Sequence, residues 1–132
     1  KFKPNQDWNH AWGAVPGNII PRYLIGVRPL EPGFGKVLIQ PQCGTLKWAS
    51  CTVPSIRGPI KVSFQNEMPR TFELQIDIPV NMTAKVGLPQ SGKESTTLVV
   101  DGEEVNAQCQ NGYLFVDGIG SGAHTLISGQ AL

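Results

Sequence analysis

Apolar and polar positions follow two rhythms along this chain, and the change from one to the other falls inside residues 9–41. Up to Ile25, the residues Ala11, Val15, Ile19, Ile20, Tyr23 and Leu24 recur at helical spacing and share one face. From Lys36 onward the period is two, the signature of a strand with one buried face. Between the two rhythms, Gly26 is able to take the left-handed conformation that closes a helix, and Pro29, Pro32 and Gly33 prevent the helix from resuming. Glu31-Pro32-Gly33-Phe34 also has proline and glycine where a type II turn needs them.

The helical part is expected in two pieces. Asp7 or Asn9 caps a short helix starting at Trp8 or His10, Gly13 and Pro16 interrupt it, and a second piece runs to about Leu24 with Pro21 as a kink. Strands are expected around Val37 and Ile39, from Leu46 and Trp48, over Ile60, Val62 and Phe64, and over Phe72, Leu74, Ile76 and Ile78. Met82, Ala84, Val86 and Leu88 continue the alternation, and Asp101-Gly102 is a strong hairpin signal after Leu98, Val99 and Val100. Asn111-Gly112 turns into a strand from Tyr113 to Val116, residues 117–122 read as a glycine-rich loop, and a last strand runs from Ala123 to Ser128. Close spacing and short turns predict an all-β fold, a two-layer antiparallel β-sandwich of about eight strands, preceded by a short N-terminal helical segment.

Composition narrows the function classes. A length of 132 residues and 40% apolar content suit one core, and a net charge of +1 without basic runs offers no electrostatic reason to expect nucleic acid or a membrane surface as partner. No apolar stretch reaches the ~20 residues of a spanning helix, and the chain opens without a signal-peptide pattern. Cys43, Cys51 and Cys109 are an odd number with no Cys-x-x-Cys, so a disulfide scaffold is not expected and the thiols read as small buried or half-buried residues. His10 and His124 are too far apart for a zinc pattern, and no metal or cofactor is expected.

Catalytic constellations are absent from the spacing. A glycosidase uses two carboxyl groups ~5 to 9.5 Å apart, one of them kept protonated. Glu73 and Asp77 instead fall on the wet face of a strand, Glu103 and Glu104 follow a turn, and Glu31 and Asp117 lie in loops. Gly120-Ser121-Gly122 is too short for a nucleophile elbow, and the glycines of residues 118–122 precede a strand, not a helix. His124 reads as structural or exposed. His10 stands apart, flanked by Asn9 and by the aromatic rings of Trp8 and Trp12, a combination that sugar pockets use for stacking and hydroxyl contacts.

Asn9-His10-Ala11-Trp12-Gly13, Gly26-Val27-Arg28-Pro29, Pro32-Gly33-Phe34 and Val37-Leu38-Ile39-Gln40-Pro41 together resemble the C-terminal end of bacterial α-L-rhamnosidases of glycoside hydrolase family 78. Leu46-Lys47-Trp48-Ala49, Arg57-Gly58-Pro59-Ile60-Lys61-Val62, Ile78-Pro79, Ala84-x-Val86-x-Leu88-Pro89 and Gly120-Ser121-Gly122 extend the likeness over nearly the whole chain.

The resemblance implies that residues 1–26 are the tail end of a helical (α/α)6 barrel catalytic domain and residues 27–132 its C-terminal β-sandwich accessory domain. It implies a parent that hydrolyses terminal α-L-rhamnosides with inversion, through two glutamates of the upstream barrel that this chain lacks. His10 then lines the rhamnose subsite as a sugar contact, with Trp12 a candidate neighbour, and the chain itself is structural and inactive. The implied partners are the upstream barrel and a rhamnose-containing glycan bound by the parent, and the implied setting of the parent is periplasmic or extracellular. Two other classes are open: a carbohydrate-binding module presenting Trp48 and Tyr113, and an interaction domain that forms a homodimer through its exposed helix.

Overall fold

The computed structural model describes residues 11–92 and 96–129. A helical run opens it: a 3-10 turn over Ala11–Ala14, an α-helical turn α1 over Val15–Ile19, and a π turn over Ile20–Leu24. Each change of winding sits beside a proline. Pro16 occupies the first turn of α1, where its missing N–H costs nothing. Pro21 cannot donate to the turn before it, and the hydrogen bonding slips to the wider register, Ile25 N–H donating to the Ile20 carbonyl at 2.9 Å.

Gly26 ends the run with φ +83. The Gly26 carbonyl accepts the Gln40 N–H at 3.0 Å, and a Cβ at this position would lie 1.9 Å from the Gln40 carbonyl oxygen. Only glycine fits both the left-handed turn and the close approach.

Eleven strands follow among the described residues, in two sheets. They are β1 Val27–Pro29, β2 Lys36–Ile39, β3 Trp48–Val53, β4 Ile60–Asn66, β5 Thr71–Ile78, β6 Thr83–Pro89, β7 Thr97–Val100, β8 Glu103–Asn106, β9 Gln108–Gln110, β10 Tyr113–Ile119 and β11 Gly122–Gly129. The five-stranded sheet has the order β1-β2-β6-β10-β9 and the six-stranded sheet the order β3-β4-β5-β11-β7-β8. The two-layer sandwich is thus as expected, with more and shorter strands than the alternation suggests.

Three details depart from the expectation. β2 and β6 pair in parallel, Lys36 opposite Thr83 and Ile39 opposite Val86, because the chain leaves the first sheet after β2, builds β3, β4 and β5 in the second, and returns beside β2. Residues 117–122 are not a loop: β10 bulges between Val116 and Ile119, regains its pairing at Ile119 opposite Ala84, and turns directly into β11. Burial of Ile119 draws the strand back after the bulge. Cys109, expected among buried or half-buried thiols, is exposed in the short strand β9, while Cys43 and Cys51 are half-buried.

The core lies between the sheets. Val37, Ile39, Ala84, Val86, Leu88 and Leu114 face Val62, Phe64, Phe72, Leu74, Ile76 and Leu126, with the rings of Phe64 and Phe72 stacked at 5.4 Å. Each of these side chains other than Ala84 contributes about 1.5–3 kcal/mol of burial. Ile25 and Val27 close the core at the helix side, and Ile25 is 1% exposed. Residues 15–24 bury none of their side chains fully.

Candidate functional site

Of the two residues assigned to a sugar subsite, His10 lies outside the described residues, and of Trp12 the structure describes only the backbone, in the 3-10 turn Ala11–Ala14. The helical face after them is open. Val15, Ile19, Ile20 and Tyr23 are between 43% and 48% exposed, so of the apolar row that the spacing predicts only its end, at Leu24, packs against the sandwich core. Where the run meets the sheet it is anchored by its backbone: the Gln42 N–H is shared between the carbonyls of Tyr23 and Leu24. Arg28 reaches back from β1, its guanidinium 5.8 Å from the centre of the Tyr23 ring and its Nη2 donating to Gln40 Oε1 at 3.0 Å.

Among the described residues the carboxylates show no acid and base pair. Those with a resolved shift in acidity, Asp101 and Asp117, both move downward, whereas a general acid must be held protonated. For Asp101 the causes are hydrogen bonds, first from His124 and then from the Thr125 N–H. For Asp117 the leading cause is the hydrogen bond from Lys36, at 2.7 Å.

His124 Nδ1 donates to Asp101 Oδ2 at 2.7 Å, joining β11 to the β7–β8 turn. The pairing places His124 opposite Ile76, which is on the inner face of the second sheet. The imidazole is therefore a strut at the margin of the core, in line with its structural reading.

At the loops of one end, Arg57 acts as a clamp. Its Nε donates to the Gly33 carbonyl at 2.7 Å and its Nη1 to the Asn81 carbonyl at 2.6 Å, tying the turn before β2 to the turn before β6. Tyr113, expected as an exposed aromatic, is half-buried, and its hydroxyl donates to the Pro41 carbonyl at 3.0 Å. Burial pushes its pKa above the usual phenol range, as expected of a ring used for packing. Trp48 is exposed at 66%, at the start of the edge strand β3.

A groove of about 400 Å³ opens on the outer face of the six-stranded sheet. Strand register builds it from two rows that cross four strands. One row is Ser50, Ser63, Gln75 and Thr125, and the next is Thr52, Lys61, Asp77 and Ala123. Lys61 Nζ and Asp77 Oδ2 pair at 3.0 Å within the second row. Of these positions, sequence reading places Asp77 on the wet face of its strand and singles out none as part of a site. The signal that was present is their size: serine, threonine and alanine at outward positions leave a hollow where long charged side chains would fill it.

Comparison with known proteins follows from this architecture. The profile described as the bacterial alpha-L-rhamnosidase C-terminal domain matches residues 26–103. The structure of alpha-L-rhamnosidase from Dictyoglumus thermophilum superposes with a TM-score of 0.77 at 24% identity, over 90% of this chain and 14% of that one. Streptomyces avermitilis alpha-L-rhamnosidase, in a complex with L-rhamnose, gives 0.70 at 25% identity over 89% of this chain and 11% of that one. The enzyme from Aspergillus terreus gives 0.68 at 24% identity, over 97% and 13%. In all three the matched region is one part of a much longer chain, of which this one spans 11% to 14%. No curated protein sequence matches the chain. With the profile covering more than half of its length, and the same sandwich recurring in these solved structures, the chain belongs to the family of bacterial α-L-rhamnosidase C-terminal domains.

Proposed function

We propose that this chain is the accessory sandwich of a glycoside hydrolase resembling α-L-rhamnosidase, catalytically silent by itself, with residues 1–26 as the last helical segment of an upstream (α/α)6 barrel. The parent would hydrolyse terminal α-L-rhamnosides with inversion through carboxylates of that barrel. His10 would contact the rhamnose there, with Trp12 beside it. The observation that carries this reading is the helical run itself. It enters the sandwich through the tight Gly26 turn, yet leaves Val15, Ile19, Ile20 and Tyr23 half-exposed. A further helical layer packed on that side would bury them.

The test is an assay of the chain against an aryl α-L-rhamnoside. No turnover above background is expected, and turnover would overturn the reading. The same exposed row would serve a homodimer, but a stable interface buries about 1,200 Å² or more, beyond what four half-exposed side chains supply. Sedimentation equilibrium separates the two, with monomer expected.

A further inference from the structure

We infer that the outer face of the six-stranded sheet is a binding site for a neutral oligosaccharide. The helical run and its connection to β1 lie at the edge of the other sheet, so the groove belongs to the layer facing away from the segment assigned to the parent barrel. The inference goes beyond the reading of that parent and does not depend on what it hydrolyses.

The face is a grid. Beside the two rows already described, a third runs Trp48, Gln65, Glu73 and Ile127 across the same four strands. Strand spacing makes each row about 14 Å wide, and the two-residue repeat sets the outer rows about 14 Å apart. Ser50, Ser63, Thr125 and Ala123 keep the groove low, Gln75, Lys61 and Asp77 stand along it, and Trp48, Gln65 and Glu73 form the outward row beside it, outside its lining. A volume of about 400 Å³ is within the usual range for small-ligand sites.

The chemistry selects the ligand class. Hydroxyl groups, the Gln75 amide, the Asp77 carboxylate and the Lys61 ammonium can donate to and accept from sugar hydroxyls in every orientation. Lys61 and Asp77 cancel each other's charge, and Glu73, held by Gln75 Nε2 at 2.8 Å, adds a negative group that repels polyanions. Trp48 shares the outward row of β3 with Ser50 and Thr52 and is 66% exposed. Its open indole face offers a stacking plane for a sugar ring whose neighbour then reaches the groove.

Affinity electrophoresis of the chain through gels containing soluble arabinan, galactan or arabinoxylan tests this, with polygalacturonate as the charged control. Retardation by at least one neutral polysaccharide is expected, with none from polygalacturonate, and Trp48→Ala and Ser63→Tyr each weaken it about tenfold. Both positions point outward, and equal urea midpoints verify that the variants are folded. Amide shifts of Ser63, Gln75 and Thr125 on titration with the retarding glycan give a readout independent of either variant. No retardation by any neutral polysaccharide, unchanged retardation of folded Trp48→Ala, or amide shifts confined to other faces would each overturn the inference.

Discussion

Gly26 shows how much one residue's environment adds to its chemistry. Its place between a helical and a strand rhythm is enough to expect a left-handed turn there. That the turn also brings it against Gln40, fourteen residues along the chain, appears only when β1 lies beside β2. Gly26→Ala therefore meets both a strained φ and a backbone collision. A loss on the order of 3 kcal/mol is expected in urea unfolding. Asp101 offers a pH-dependent counterpart. Its carboxyl is held below the ordinary range by His124 first and then by the Thr125 N–H. A carboxyl lowered on folding adds stability above its unfolded value of about 4 and loses it as the pH falls through the folded value. Asn tolerates the left-handed φ of 52 at this position. Asp101→Asn is thus expected to be less stable than wild type at pH 6, with the gap closing as the pH is taken below 4, followed by unfolding midpoints over a pH series. Tyr113 shows the limit of reading a single residue: an aromatic at a strand start looks available for stacking, and the carbonyl of Pro41, distant in sequence, takes its hydroxyl instead.

At the scale of elements, the period-two signal was reliable wherever one face is buried. β4 and β5 alternate along their whole length as their residues predict, since a slip of one residue would expose Phe64, Phe72 and Leu74. The glycine-rich stretch after Val116 misleads for a physical reason. Gly118, at φ +78, accommodates a bulge within a strand as well as it would a loop, and the choice is made by Ile119 finding a place in the core. The helical run is the opposite case, a face with correct spacing whose residues Val15, Ile19 and Ile20 stay half-exposed. Because Val15 and Ile19 stabilise no packed core here, the double change Val15→Asp and Ile19→Asp is expected to move the unfolding free energy of this chain by less than about 0.5 kcal/mol. A larger loss in denaturant titration would mean that the run is docked on the sandwich after all.

At the scale of the whole molecule, the two layers face different ways. One sheet carries the helical run at its edge, and the other presents the groove, with Trp48 in the outward row beside it. Catalytic silence toward an aryl rhamnoside is a prediction at this scale, because it concerns how the chemistry is divided between this domain and the rest of a parent. The sequence by itself determined the class of fold, the position of the change from helix to strand, the inward residues of the long strands and the resemblance to a rhamnosidase tail. Each of these depends on local periodicity, on the conformational needs of proline and glycine, or on contiguous motifs. Only the tertiary structure decided that β2 lies parallel to β6, that Arg57 clamps two distant turns, and that Ser50, Ser63, Gln75 and Thr125 form one row. Those relations join residues far apart along the chain, and alternation states which side of a strand a residue occupies without stating which strand lies beside it.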